Sequence, residues 1–182
     1  MSQICKPLFL ITIVSAIFSK DPEFLYNQGL NMLEKTEINN AENALRESLK
    51  IDPSFAPSLQ GLSKLYLHKG DLKKANEYAI QAVQADEDFR EWSNKISKIS
   101  ERIQNGNRNV QQGLFEEAIK EYDSILSEHP YYPEAEFYKG LTRFRQKNID
   151  GAAEHFSNAL KIYPDHTKAR KGLDNVTKQF LN

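Results

Sequence analysis

The chain has 182 residues, with 24 Lys and Arg against 25 Asp and Glu, so its formal net charge is −1. That length buries one sizeable core, and the dispersed charge contains neither the basic block that nucleic acid demands nor an acidic tail. Eight glycines and seven prolines are too few for a disordered or fibrous chain and suit a helical one.

The first residues stand apart. Lys6 and Pro7 precede an apolar run, residues 8–18 (LFLITIVSAIF), with small residues at Ser15 and Ala16 near its end and at Ser19 just after it. A positive start, a short apolar stretch and small residues make residues 1–19 read as a secretory signal peptide, cleaved after Ala16 or Ser19. A buried first helix or strand is the alternative. The run is shorter than the roughly 20 residues a bilayer crossing needs, so no stable membrane span is expected. Cys5, the one cysteine, lies in this segment, and the chain beyond it needs no disulfide even in an oxidising lumen. Asn175-Val-Thr177 is a candidate N-glycosylation site.

Residues 20–182 read as an all-α domain. A first unit, 22–55, begins with Asp21 able to cap a helix that has Pro22 at its first position. Leu25, Gly29 and Met32 share one helical face. After a turn at 36–39, Ala41, Leu45, Ser48 and Leu49 line a second helix that Pro53 ends. Gly29 and Ala41 are small because the two helices must approach closely there. A second unit, 56–89, carries Leu59, Leu62, Tyr66, Gly70, Ala75, Ala79 and Ala82 at the patterned positions. It places Ser63 where the first unit has glycine and Glu87 where it has proline. Without that proline nothing forces a stop.

Trp92, Ile96, Ile99, Ile103 and Val110 then form one helical stripe, so 89–112 reads as a single long helix. A break at Asn105-Gly106, leaving a separate linker helix, is the alternative, because glycine costs about 1 kcal/mol in a helix interior. Third and fourth units follow at 99–132 and 133–166. A final helix over 167–181, apolar at Ala169, Leu173, Val176 and Phe180, caps the last exposed face.

The units keep a common spacing. Gly106 and Gly140, Ala118 and Ala152, Tyr122 and Phe156, and Pro130 and Pro164 are each 34 residues apart. Gly29, Ala41, Leu45 and Pro53 lie 77 residues before their third-unit counterparts, which is two periods plus nine residues. In length and pattern these units resemble the tetratricopeptide repeat. The resemblance implies a right-handed solenoid of four helix-turn-helix units, with an elongated helix before the third and a C-terminal cap.

Three stretches narrow the resemblance. Residues 62–71 (LSKLYLHKGD), the long helix, and residues 113–122 (GLFEEAIKEY) are similar to the repeat region of J-domain co-chaperones, where an elongated helix joins two sets of repeats. Residues 160–169 (LKIYPDHTKA) also look like that group. With the leader, the resemblance points to its endoplasmic-reticulum luminal member, which binds unfolded clients and serves the luminal heat-shock chaperone. No His-Pro-Asp tripeptide occurs in the sequence, so the resemblance extends at most to the client-binding half.

Nothing in the sequence reads as catalytic, and no cofactor is expected. His68, His129, His155 and His166 lack the spacing of metal ligands, so no metal site is expected; His129 and His166 read as surface imidazoles near helix ends. Phosphate-cradling glycine loops and nucleophile motifs are missing. The expected functional surface is the concave groove formed by the first helix of each unit. Its candidate residues are Tyr26, Leu30, Lys64, Ile103, Asn107, Phe137, Leu141 and Phe144, with Leu33, Leu67 and Val110 nearby. A carboxylate clamp would need Lys and Asn at matched positions in several units, and Asn107 alone does not supply one. An apolar groove suits an extended hydrophobic segment, although any one of these residues could instead pack against a neighbouring helix. The expectation is a non-enzymatic, chaperone-like binder of unfolded segments in the endoplasmic-reticulum lumen, or secreted. The alternative is an adaptor holding one folded partner.

Overall fold

The structure is a computed structural model and describes residues 21–180, side chains to residue 178. The proposed leader, with Cys5, lies outside the described residues. The regular elements are α1 (Pro22–Glu34), α2 (Ile38–Ile51), α3 (Ala56–His68), α4 (Leu72–Ala85), α5 (Arg90–Gln111), α6 (Phe115–Glu128), α7 (Pro133–Arg145), α8 (Ile149–Ile162) and α9 (Thr167–Phe180), with a 3-10 turn at Glu87–Phe89. The all-α class is as the sequence implies.

The chain forms two compact units, one reaching to Leu65 and including Glu77–Arg90, the other comprising Tyr66–Asn76 and everything from Glu91 onward. In the first unit Asp21 caps α1 by accepting from the Glu23 amide at 3.0 Å, and α1 packs along α2. A Cβ on Gly29 would lie 2.9 Å from Leu45 Cγ, so the glycine is what lets the Leu45 side chain nest against the α1 backbone. Polar groups buried beneath are paired. Ser58 donates to Ser48 Oγ at 2.7 Å, and Ser48 donates to the Pro22 carbonyl at 2.8 Å, tying the start of α3 and the last turn of α2 to the start of α1.

The same contact recurs in the second unit at the same sixteen-residue separation. A Cβ on Gly106 would sit 2.4 Å from Tyr122 Cε1, and one on Gly140 would sit 2.6 Å from Phe156 Cδ1. Gly106 therefore does not break the long helix; α5 runs through it without interruption from Arg90 to Gln111. The cost of glycine in a helix interior is offset by the close approach of a buried aromatic ring. In the stripe of α5, Ile96, Ile99 and Ile103 are buried. Beyond them α5 also lies along α6, where Arg102 donates to the Ser124 carbonyl at 3.0 Å and to Glu128 at 2.9 Å. Trp92 meets His129 edge-on, with centroids 6.1 Å apart.

The turns repeat as faithfully as the cores. Thr36, Gly70, Gly113 and Lys147 all have positive φ, between 60° and 77°. Each is followed by a residue whose amide reaches back five positions: Glu37 to Met32, Asp71 to Tyr66, Leu114 to Asn109 and Asn148 to Arg143, at 2.8–2.9 Å. This double closure of a helix C-terminus needs a left-handed residue, and Thr36 and Lys147 adopt that conformation without being glycine.

Candidate functional site

The groove residues expected from the sequence fall into two groups. In the first unit, Tyr26, Leu30 and Lys64 are half-buried. Tyr26 meets Phe55 edge-on at 6.1 Å, and desolvation raises its phenol above the usual tyrosine range. In the second unit, Ile103 and Phe137 are buried, while Asn107, Leu141 and Phe144 are half-buried. Phe137 belongs to the core with Phe156, Ala159 and Val176, and Leu141 and Phe144 pack against its edge. The stripe 137–141–144 thus passes from core to surface along α7. Asn107 accepts a hydrogen bond from the Tyr122 hydroxyl at 3.2 Å. Tyr122 and Tyr138 stack at 5.6 Å, and burial, helped by Tyr138, pushes the Tyr122 phenol up to about 12. Asn175 is exposed on α9.

A second feature, wholly within the second unit, was not anticipated. A cavity of about 460 Å³ opens between residues 69–73 at the tip of the α3–α4 hairpin, the first turn of α7 and the α8–α9 connection. At its centre the buried Glu134 accepts from His166 Nε2 at 2.6 Å and from Lys168 Nζ at 2.7 Å. His166 Nδ1 in turn accepts the Ala169 amide at 3.1 Å and so caps α9. With Nδ1 occupied as an acceptor, the ring proton sits on Nε2 and points at the carboxylate. Desolvation works to raise the Glu134 pKa, but the His166 and Lys168 hydrogen bonds outweigh it, and the carboxyl is held below its ordinary value. Gly70 closes over this pair, since a Cβ there would lie 3.1 Å from Glu134 Oε2. His166 is therefore buried, not the surface imidazole that its place at a helix end implied.

The sequence did hold a signal for this cluster. Tyr132 and His166 are one period apart, as are Glu134 and Lys168. Each pair occupies equivalent positions at the starts of consecutive first helices, where period-related residues become neighbours. Opposite charges exactly one repeat apart could have been read as an ion pair. The hairpin tip that covers them could not, because nothing in residues 69–73 specifies contact with a helix more than 60 positions away.

Among the described residues no group of His, Cys, Asp or Glu is arranged to hold a metal ion, and no helix is long and apolar enough to cross a membrane. Paired antiparallel helices, a glycine facing a large side chain sixteen residues on, and recurrent left-handed turns define a helical-hairpin repeat protein, a fold that serves protein interaction. A tetratricopeptide repeat model matches residues 103–167 and a second one residues 56–89, together more than half of the chain, which belongs to the tetratricopeptide repeat family.

Among curated proteins, the DnaJ homolog subfamily C member 7 homolog of Dictyostelium discoideum is 22% identical over 173 residues, which is 90% of this chain and 32% of that protein. The DnaJ homolog subfamily C member 3 of Gallus gallus is 20% identical over 127 residues, 68% of this chain and 25% of that protein. The chain thus spans a third or less of the length of these relatives. Of solved structures, the P58(IPK) TPR domain aligns with 92% of this chain and 59% of its own at 15% identity, with a TM-score of 0.49.

Proposed function

We propose that this chain is a chaperone-like binder of extended or unfolded polypeptide segments, acting without catalysis in the secretory pathway. The observation that carries the reading is the α7 stripe, where Leu141 and Phe144 pack against the core yet leave part of their apolar surface exposed. Tyr26 and Leu30 on α1 are partly exposed in the same way. An extended apolar segment laid on such a face gains about 25 cal/mol for each Å² removed from water, and the tetratricopeptide fold offers its first helices for this use. The names of the curated relatives, DnaJ homologs, support a chaperone setting.

Residues 1–19 and the exposed Asn175 support entry to the endoplasmic reticulum, with a luminal heat-shock chaperone system as the associated partner. The test is light scattering from an aggregating, chemically denatured client with and without the protein. Suppression is expected, and Leu141→Asp with Phe144→Asp should abolish it while the circular dichroism spectrum stays helical. No suppression by the unaltered protein, or full suppression by the folded double variant, would count against the reading. Phe137 is unsuitable for this test, because a charge at a core position would unfold the unit.

A further inference from the structure

Asn175 has a place in the repeat as well as in a sequon. It lies one period after Leu141, as Lys168 lies one period after Glu134. α7 and α9 are the first helices of consecutive units, so residues one period apart sit side by side, on packed helices whose axes are roughly 8–10 Å apart. The pair at the start of these helices shows the alignment directly, since Lys168 Nζ donates to Glu134 at 2.7 Å. Leu141 and Asn175 are each seven residues further on, about two helical turns along the same row. On α9 that row runs through Lys168, Gly172 and Asn175, at spacings of four and three. Its earlier members face the preceding unit. Lys168 Nζ stands 5.9 Å from the Phe137 ring centroid, and a Cβ on Gly172 would be 2.8 Å from Phe156 Cζ. Leu173 packs against the same cluster as Leu141 and Phe144. Asn175 is therefore exposed at the edge of the α7 stripe, not on the outer face of the cap.

We propose that an N-linked glycan on Asn175 regulates the stripe by covering its α9 side. The glycosylated chain then holds apolar segments weakly, and the unmodified chain holds them well. The proposal rests on the reading of the stripe as the polypeptide-holding surface. The donor is a lipid-pyrophosphate-linked oligosaccharide. Asn175 Nδ2 bonds to its anomeric carbon, and the bond from that carbon to the pyrophosphate oxygen breaks. The pyrophosphate leaves with the electron pair, and the amide gives up one proton. The glycan is bulky and solubilising, so it keeps water over part of the apolar surface that a bound segment would otherwise bury. Thr177 supplies the contrast. Residues two apart on a helix point to nearly opposite sides, and the Thr177 hydroxyl turns back to the Leu173 carbonyl at 2.8 Å. The same bulk attached there leaves the stripe open.

The experiment follows the anisotropy of a fluorescent, apolar, unstructured peptide. One arm compares the glycosylated chain from a eukaryotic secretory host with Asn175→Gln from the same host. The other uses the full chain from bacteria in a Cys5→Ser background, with Asn175→Cys or Thr177→Cys coupled through the thiol to one oligosaccharide. The glycosylated chain should bind at least about fivefold more weakly than Asn175→Gln, and coupling at position 175 should weaken binding by a similar factor. Coupling at position 177 should change it by less than about twofold. A product without glycan, equal affinity in the glycosylated chain and Asn175→Gln, or equal weakening from the two coupling positions would overturn the proposal. Where Asn175→Gln and the uncoupled chains bind no peptide, the reading of the stripe falls and takes the proposal with it. Where they bind and the glycan changes nothing, the proposal falls alone.

Discussion

Adding one methyl group at Gly140 presses on a ring that is held from both sides. Phe156, 1% exposed, lies between two glycines: a Cβ at Gly140 would be 2.6 Å from its Cδ1 and Cε1, and a Cβ at Gly172 would be 2.8 Å from its Cζ. For Gly140→Ala the ring must retreat by about 1 Å to reach ordinary contact, and the retreat drives it into the α9 backbone. Overpacking of this kind costs about 1–3 kcal/mol, and the confinement puts it in the upper half of that range. Alanine returns about 1 kcal/mol of helix propensity, leaving a net loss of about 1–2 kcal/mol. Urea denaturation followed by circular dichroism should show a lower midpoint at unchanged slope. In a Phe156→Leu background, which removes the ring, Gly140→Ala should turn neutral or stabilising by up to about 1 kcal/mol. A stabilising Gly140→Ala in the unaltered chain would refute the close approach as the reason for glycine at this repeat position.

The Glu134 carboxyl has a folded pKa below its ordinary value of 4.5, so its stabilisation is present above that value and is lost as pH falls through the folded pKa. Glu134→Gln should therefore cost about 1–3 kcal/mol at pH 7, with the gap to the unaltered protein closing in acid; urea midpoints between pH 7 and pH 3 read this directly. Lys147 has φ 62°, a left-handed conformation that costs a residue with a side chain about 1–2 kcal/mol. Lys147→Gly should raise stability by up to about 1 kcal/mol, as a shift in thermal midpoint. Asn175 is exposed, so translation into microsomes should yield a glycosidase-sensitive band that disappears in Asn175→Gln. An unmodified product would remove the support that Asn175 gives to the secretory route.

Much of the fold was legible because it repeats. Gly106, Gly140 and their partners Tyr122 and Phe156 announced themselves by spacing, and the stripe from Trp92 to Val110 announced the long helix. The missing proline at Glu87 did not, because α4 ends at Ala85 and a 3-10 turn at Glu87–Phe89 precedes α5. The unbroken passage of α5 through Gly106 was left open by the sequence, because glycine as a helix breaker and glycine as a point of close contact look alike until the Tyr122 ring is placed beside it. The candidate groove was less legible. Leu141 and Phe137 share a helical face, yet one reaches the surface and the other belongs to the core, and periodicity alone does not locate that border. The Glu134–His166–Lys168 cluster was the least visible. It depends on the tip of the α3–α4 hairpin closing over α7, a contact that local pattern does not encode.

The most direct measurement on the binding proposal is equilibrium anisotropy of a fluorescent, apolar, unstructured peptide titrated with the full chain. Saturable binding that weakens at least about tenfold, or about 1.4 kcal/mol, in Leu141→Asp is the expected result. No binding, or binding unaltered in a Leu141→Asp variant that remains folded, would contradict a role for the α7 stripe in holding polypeptide.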